Sequence, residues 1–464
     1  MQINKGEEKM TTKQITVVTQ MTGSAEGLSL LIDSWRNQIS QDQQYREFTQ
    51  NSIESIKRVQ KQNPEYKGII KWGIDERYLN KHKVKKLCII DNGEGMTPQE
   101  MLLNINSLGG STRNNEHYNH GCGAKIAGLA HNREGLIYRS WKNGQGYVAK
   151  FMRNEMGRYG MVKIKNRNTH PLPEIEKPAE IKEHGCMVTL LGDSFEQNTT
   201  EPVKGNYGTL LKNSRNSKTE WLSAYLNTKF YNVPNNIKLT CSRFLENRTT
   251  TVNIIKGHEY GLGLDFEKKD EVQLTKTKVK IFYRESANRQ EVSGNKQNYV
   301  TNGQLAIVNQ GEVIKLEFSS AGGVNPLPAW GLQCLKKHVA LVLIPEGQFK
   351  QNIERTDLTH EGMSINEQLN LWKTEFKEAM PQWLKDIEAK KQLEQMEKDN
   401  DTETRLKNLS PLFKKERYYN CERGDVNIKE DEKRKASSKK DNMGDEPDPN
   451  PNPDHDPKDE FGKI

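Results

Sequence analysis

A short apolar run that ends in an acidic, glycine-rich turn constrains the fold of this chain more than any other feature. Residues 87–90 read Leu-Cys-Ile-Ile, which is typical of a buried β-strand. They lead directly into Asp91-Asn92-Gly93-Glu94-Gly95-Met96. An acidic residue at a strand end, followed by glycines that let backbone approach a flat ligand, suits recognition of a base or ring. Taken alone, the same turn also fits a β-hairpin or another tight turn.

A stripe of polar side chains on a predicted helix precedes this strand. Glu47, Asn51 and Glu54 fall at positions i, i+4 and i+7, which places them on one helix face. Ile53 and Ile56 point elsewhere on the same helix. Because such stripes are common on solvated helix surfaces, this segment alone leaves a solvated face as the alternative.

Two glycine-rich segments follow the strand. One is a polar loop at 108–113, and the other, at 121–128, leads into a helix pattern. Unpaired N–H groups and the positive dipole end at a helix start form a trap for phosphate. Isolated glycine motifs are weak evidence, so an ordinary loop stays the alternative. The candidate residues in the two segments are Gly109, Gly110, Ser111, Gly121, Cys122, Gly123, Ala124 and Lys125.

A hydroxyl in a further apolar strand pattern completes the set of motifs. Thr189 lies within 185–190, and on its own it says little because threonine is a good strand residue. In this order and spacing the four segments resemble the nucleotide-binding fold of the GHKL superfamily, which includes gyrase, the ninety-kilodalton heat-shock chaperone, histidine kinases and MutL. The resemblance covers about residues 27–193. The sequences of the glycine motifs look most like those of MORC-type ATPases.

The resemblance implies an α/β (α+β sandwich) Bergerat-type fold that uses ATP and Mg²⁺. Glu47 resembles the general base that polarises the attacking water, and Asn51 resembles the Mg²⁺ ligand. Asp91 looks like the acceptor for the adenine amino group, with Thr189 supporting it through water. Gly93 and Gly95, beside Met96, would shape the adenine pocket. Gly121, Gly123 and Lys125 would hold the phosphates beneath a mobile lid at 109–120.

Strand-like runs broken by Gly and Asn turns continue to about residue 344 and predict a second, β-rich domain. In gyrase-like and MORC-like relatives such a transducer domain contributes a lysine or arginine to the γ-phosphate. Because the run 333–337 has a gyrase-like Gln followed by basic residues, Lys336 or Lys337 is the candidate sensor. Arg355 is a weaker candidate, and the alternative is an ordinary solvated lysine.

Proline and composition set the remaining boundaries. Pro381 interrupts a helical pattern and predicts a kink or two helices. The charged, proline-rich sequence after Tyr419 has almost nothing to bury and predicts disorder. We therefore predict an N-terminal arm at 1–26, a GHKL ATP-binding domain at 27–200, a helical connector at 201–240, an S5-like transducer domain at 241–362, a helical segment at 363–410 and a disordered charged tail at 411–464.

Composition narrows the partners and the location. The net charge is 70 − 62 = +8, which permits a nucleic-acid partner without demanding one. The start of the chain lacks the pattern of a secretory signal, and no apolar run approaches the roughly 18–20 residues that span a bilayer. The six cysteines are scattered without pairing motifs. We expect a cytoplasmic protein without membrane contact.

These features suggest two functional hypotheses. In the first, two ATPase domains pair when ATP closes the lid, and the homodimer is a MORC-like clamp on DNA in a host-defence or genome-maintenance setting. In the second, the same cycle remodels a protein client in the manner of a chaperone. Salt-dependent binding of duplex DNA separates them, because phosphate contacts weaken steeply with salt.

Overall fold

Two large β-sheets, each covered by helices, make up most of the computed structural model. This arrangement confirms the predicted α/β class. No helix in the described part of the chain is long and apolar enough to cross a membrane. The described residues are 17–20, 29–106 apart from 31, 35, 37 and 38, 123–201, 217–244, 252–286, 303–318, 325–352 and 356–398.

The first sheet has ten strands in the order β1-β6-β5-β4-β8-β3-β2-β9-β10, with β7 pairing to β5. Neighbouring strands are antiparallel except for the parallel pair of β2 and β9. The strands are β1 (Val17–Gln20), β2 (Gly68–Ile74), β3 (Leu87–Asp91), β4 (Leu136–Lys142), β5 (Gln145–Arg153), β6 (Tyr159–Lys163), β7 (His170–Leu172), β8 (Gly185–Leu190), β9 (Ile237–Ser242) and β10 (Val252–Ile255).

Helices pack on one face of this sheet. Tyr45, Phe48 and Ile56 of the longest helix are buried against a core that includes Ile70 and Trp72 of β2. Each such buried side chain stabilises the fold by roughly 1.5–3 kcal/mol. The helices are α1 (Gln43–Gln62), α2 (Glu76–His82), α3 (Pro98–Asn106), α4 (Gly123–Ala130) and α5 (Ser217–Lys229).

Two observations move the predicted boundaries of the first domain. Helix α5, predicted as a connector, is buried on all sides from 220 to 228, and Trp221 packs edge-on against Tyr45 with ring centroids 5.1 Å apart. Strands β9 and β10 were expected at the end of the connector and in the transducer domain, but they pair with β2 and with each other. The first sheet therefore extends to residue 255, beyond the predicted limit at 200.

The second sheet has five strands in the order β11-β12-β15-β13-β14, in which only β13 and β15 run parallel. Helix α6 (His258–Asp265) covers one face, and α7 (Ile365–Ala379) covers the other. A small sheet of β16 (Lys350–Gln351), β17 (Leu358–His360) and β18 (Met363–Ser364) precedes α7. The five strands are β11 (Lys268–Leu274), β12 (Thr277–Tyr283), β13 (Gln304–Asn309), β14 (Glu312–Phe318) and β15 (Val339–Pro345).

The turn between β13 and β14 contacts the end of α5. The backbone N–H of Tyr231 donates to the Gly311 carbonyl over 2.8 Å, and the Lys229 Nζ donates to the Val313 carbonyl over 2.9 Å. Gln310 and Gly311 both have positive φ, at 52° and 80°, which gives the hairpin its tight turn. This hairpin therefore connects the second sheet to the helices of the first.

The predicted interruption at Pro381 is confirmed. Ser364 caps α7 in a reciprocal capping box with Glu367, the helix ends at Ala379, and a further helix spans 382–398. The break follows from proline, which cannot donate the backbone hydrogen bond of a continuous helix. The predicted N-terminal arm, apart from β1, and the predicted tail lie outside the described residues.

Candidate active site

Helix α1 carries the polar stripe predicted from the sequence. Glu47 is only 5% exposed, whereas Asn51, one turn later, is exposed. Glu54, near the middle of the helix, accepts a hydrogen bond of 3.0 Å from Gln50 Nε2. Glu47 is therefore not part of a solvated face, and its burial needs a specific partner.

The Glu47 carboxylate lies against the first residue of α4. A Cβ atom added to Gly123 would come within 2.4 Å of Glu47 Oε2, so the glycine makes this close approach possible. Lys125 follows in the first turn of α4 and is partly exposed, and Ala124 between them is buried. Because the start of a helix attracts anions, a carboxylate and an anion-binding element meet here.

Arg46 holds Glu47 from the other side. Its Nη1 donates to Glu47 Oε1 over 2.5 Å, and its Nε donates to Glu312 Oε2 on β14 over 2.7 Å. Its Nη2 donates to the second oxygen of Glu312. Burial alone would lower the pKa of Arg46, but the two carboxylates together raise it, so the guanidinium stays charged. The three buried side chains carry two negative charges and one positive charge.

Asp91 is buried at the end of β3, on the sheet face that packs against α1. Its Oδ2 accepts a hydrogen bond of 2.9 Å from Ser52 Oγ, and its Oδ1 accepts one of 2.9 Å from the backbone N–H of Gly93. Burial raises the pKa of Asp91 to about 6, against the opposing effect of these two hydrogen bonds. A buried carboxylate with raised pKa at a strand end is typical of a functional position.

The two glycines after Asp91 allow the turn to fold against its neighbours. A Cβ on Gly93 would come within 2.2 Å of Ser55 Oγ, and a Cβ on Gly95 would come within 2.0 Å of the Trp141 carbonyl oxygen. Gly95 also has a φ of +64°. Both glycines are therefore needed for contact with neighbouring parts of the chain, and their predicted approach to a flat ligand stays a prediction.

Further contacts fix the turn to α1 and β4. Glu94 pairs with Arg58 over 2.8 Å, and its backbone N–H donates to Ser55 Oγ over 3.0 Å. The backbone N–H of Met96 donates to Ser140 Oγ over 2.6 Å, while the Met96 side chain packs at the edge of the core. The turn is thus held on both sides before any ligand arrives.

Thr189 does not face Asp91, contrary to the prediction. In the antiparallel pairing of β3 with β8, Thr189 lies opposite Cys88, and Asp91 lies opposite Cys186. Because side chains alternate along a strand, Thr189 is on the other face of the sheet. Its hydroxyl donates to Asp75 over 2.7 Å and accepts from Arg139 over 3.0 Å.

Cys186 occupies the position beside Asp91 that was predicted for Thr189. Directly opposed residues in an antiparallel pair have Cβ atoms about 4.5–5.5 Å apart. The Cys186 Sγ also lies 3.2 Å from Ser140 Oγ, next to the anchor of Met96. Gly185 precedes Cys186, and a Cβ on this glycine would come within 2.3 Å of the Asp91 carbonyl oxygen.

The predicted sensor lysines lie away from Glu47. Lys336 and Lys337 are exposed in the turn before β15, and the backbone of Gly303, just before β13, packs against the Lys336 carbonyl. Glu312, which reaches the Glu47 cluster, is beyond the other end of β13. About 17 Å of strand separates these two ends of β13. The structure therefore does not bring either lysine to the site.

Several predicted residues lie outside the described residues. They belong to the two glycine-rich segments and to the second sensor candidate: Gly109, Gly110, Ser111, Gly121, Cys122 and Arg355.

Three residues of the site were not singled out from the sequence. Ser52 follows Asn51 directly, and its hydroxyl on the inner side of α1 was the only signal. Arg46 precedes Glu47, but an arginine beside a glutamate is common on helices. Glu312 is separated from Arg46 by 266 positions, and no local pattern predicts their contact.

Comparison with known families supports the ATPase reading of the first sheet. Residues 75–186 match the family described as "Histidine kinase-, DNA gyrase B-, and HSP90-like ATPase". The chain thus contains a GHKL-type ATPase domain, and its sheet with one layer of helices is a Bergerat-type fold. The match includes the Asp91 turn and the start of α4, whereas Glu47 and Asn51 precede it.

Comparisons with individual proteins are more distant. The crystal structure of the B-subunit of the DNA gyrase from Myxococcus xanthus matches with 10% sequence identity and a TM-score of 0.38. The alignment covers 74% of this chain and 88% of that chain. None of the curated proteins compared with this chain matches it.

Proposed function

We propose that this chain is a Mg²⁺-dependent ATP hydrolase. One observation carries the proposal: a single helix, α1, holds Asp91 through Ser52 and, about one and a half turns earlier, presents Glu47 to the start of α4. An acceptor suited to adenine and a carboxylate suited to activating water therefore share one rigid element. The match of 75–186 to the ATPase family supports the same reading.

The residues support hydrolysis by in-line attack of water on the γ-phosphorus. Asp91 accepts the adenine amino group, and the N–H groups at the start of α4, with Lys125, attract the phosphates. Glu47 accepts a proton from the attacking water while the water oxygen forms a bond to the γ-phosphorus. The bond between the γ-phosphorus and the oxygen that bridges it to the β-phosphate breaks in the same reaction. ADP and inorganic phosphate are the products.

The available donors fit Mg²⁺ bound together with a nucleotide. Within the described ranges no group of three or more His, Cys, Asp and Glu side chains could hold a metal alone. Mg²⁺ commonly takes one or two protein oxygens and completes its shell with water and substrate phosphates. The exposed amide oxygen of Asn51, one turn after Glu47, would supply such a ligand. When bound, the ion would neutralise phosphate charge.

Calorimetry and a steady-state hydrolysis assay test this proposal. We expect ATP binding, and release of phosphate that stops when EDTA removes Mg²⁺. Asn51→Ala should lower the hydrolysis rate, whereas Lys57→Ala, an exposed residue later on α1, should leave it unchanged. Absence of ATP binding by the full chain would overturn the proposal.

We further propose that the ATPase works as an ATP-gated homodimeric clamp of MORC-like type that holds DNA in the cytoplasm. The net charge of +8 is compatible with an anionic partner. Titration of duplex DNA at increasing salt tests it, because each phosphate contact makes affinity fall more steeply with salt. If DNA does not bind and an unfolded polypeptide instead stimulates hydrolysis, the chaperone-like alternative replaces the DNA clamp.

A further inference from the structure

The Arg46 cluster connects the second sheet to Glu47. We propose that Glu312 is a positioning residue which, through Arg46, orients the Glu47 carboxylate, so that hydrolysis requires contact between the β13–β14 hairpin and α1. This inference rests on the proposed ATPase function. It assigns a role in turnover to a residue outside the segment that matches the ATPase family.

The geometry of the guanidinium carries the first step of the argument. One edge of Arg46, Nε and Nη2, donates to both oxygens of Glu312. Such a two-point contact fixes the plane of a guanidinium as well as its position. The remaining nitrogen, Nη1, donates to Glu47 Oε1. Glu312 therefore sets where Arg46 can hold Glu47.

The direction of the Glu47 carboxylate gives the second step. With Oε1 held by Arg46, Oε2 is the atom nearest to the position of a Cβ on Gly123 at the start of α4. That is the side on which phosphates would bind. A shift of Arg46 would turn this oxygen away from the attacking water. Misplacement of a catalytic group by about 1 Å can cost roughly 100-fold in rate.

The contacts between the β13–β14 hairpin and the end of α5 give the third step of the argument. The backbone of Glu312 forms an antiparallel bridge with Phe230, just after α5. Together with the Tyr231–Gly311 and Lys229–Val313 hydrogen bonds, this bridge places the Glu312 side chain next to α1. Movement of the hairpin away from α5 would remove Glu312 from Arg46. The orientation of Glu47 thus depends on the position of the second sheet.

Stability alone is a poor explanation for the cluster. Burying charges costs solvation energy, and apolar side chains often stabilise such a site better than an ion pair does. Here the guanidinium and both of the carboxylates that it contacts are buried. The arrangement is better suited to holding one carboxylate in a defined position.

Glu312→Gln tests the proposal, with Glu317→Gln as its matched control. Both glutamates lie on β14, but Glu317 makes a surface pair with Lys315 over 2.9 Å. We expect E312Q to lower kcat about tenfold or more, with a Kd for ATP within about twofold of wild type. E317Q should change neither value. Arg46→Lys, which keeps the charge but loses the two-edged fork, should reproduce the effect of E312Q.

A double variant separates positioning from a general structural defect. In the Glu47→Gln background the positioned carboxylate is already missing, so adding E312Q should not lower the residual rate further. Glu312→Asp keeps the charge, and we expect it to restore part of the rate that E312Q loses. If E312Q does not fold, E312D takes its place, with a loss of kcat at unchanged ATP affinity as the expected result.

A wild-type kcat in the tested variant would overturn the proposal. A loss of ATP affinity in parallel with the loss of kcat would also overturn it. So would an equal fall in kcat on adding E312Q to the wild-type chain and to the Glu47→Gln variant, because both results would indicate that Glu312 only supports the fold. If the wild-type chain itself binds and hydrolyses no ATP, the proposed ATPase function fails first. The two failures are therefore distinguishable.

Discussion

The two ends of helix α1 support the candidate site in different ways. From Ser52 onward the helix contacts the Asp91 turn through the hydroxyls of Ser52 and Ser55 and through the ion pair of Arg58 with Glu94, and these partners lie in β3 or in the turn that follows it. Nearer its N-terminus, Arg46 donates hydrogen bonds both to Glu47 and to Glu312 on the second sheet.

This difference separates recognition from turnover. The contacts described for the Asp91 end come from α1, β3 and β4, all of which belong to the first sheet and its helices. The Glu47 end depends on a contact across 266 positions of the chain. Changes at the Asp91 end should therefore abolish binding, and changes at the Glu47 end should slow hydrolysis with binding retained.

The largest expected effect comes from Asp91→Asn. The amide would present an N–H₂ donor in a pocket that needs an acceptor for the adenine amino group, and an unpaired buried polar group costs about 1–3 kcal/mol or more. We expect calorimetry to detect no ATP binding. An unchanged affinity for ATP would show that Asp91 does not bind the nucleotide. It would also contradict the proposed division between a recognition end and a turnover end of α1.

The same variant should not lose stability. The folded-state pKa of Asp91 is raised above its ordinary value, so its contribution to stability is greatest below pH 4 and is lost as pH rises through about 6. At pH 7.5 the ionised carboxylate therefore opposes folding, by up to about 3 kcal/mol. Thermal unfolding at that pH should give D91N a melting temperature equal to or above that of wild type.

Gly123→Ala should produce a smaller effect confined to the Glu47 end. The new Cβ would overlap the flexible carboxylate of Glu47, which must move. We expect kcat to fall by about tenfold or more with the fold retained. Gly73→Ala is the control, because its Cβ would meet its nearest neighbour, Ser242 Oγ, at 3.4 Å. Equal rates for the two variants would contradict the placement of Glu47.

Lowering the pH should weaken nucleoside binding moderately. Adenosine avoids the titration of phosphates, and its affinity should fall below about pH 6, by up to tenfold per unit, as Asp91 gains a proton. Ser52→Ala removes a hydrogen bond that lowers the pKa of Asp91, so the fall should begin at higher pH. A pH-independent affinity between 5 and 7.5 would show that Asp91 is not the adenine acceptor.

The smallest effect is expected from removing the chain after Tyr419. That sequence is charged and rich in proline and lacks apolar residues that could join either core. Hydrolysis and melting temperature should stay at wild-type values, while DNA or partner affinity can change. A melting temperature lower by several degrees would show that the segment stabilises the fold.

Local chemistry explains what the sequence predicted correctly. The apolar run 87–90 formed a buried strand, and Asp91 came at its end. Pro381 ended a helix for the steric reason that makes proline a helix breaker. In each case the deciding interaction lies within a few residues of the motif.

Register and long-range pairing explain what the sequence did not predict. Thr189 was placed in the pocket, but the register of β8 puts Cys186 beside Asp91, and the two residues lie on opposite faces because they are three positions apart. The pairing of β9 with β2 and the contact of Arg46 with Glu312 join distant segments. No local pattern encodes such pairings.

The behaviour of Glu47→Ala tests the central claim most directly. With the Asp91 turn and α4 intact, the variant should bind ATP with near wild-type affinity and hydrolyse it roughly 100-fold more slowly, as expected for loss of a general base. Size-exclusion chromatography with ATP and Mg²⁺ should then show a larger dimer fraction than for wild type. Hydrolysis at the wild-type rate, or failure to bind ATP, would contradict the account.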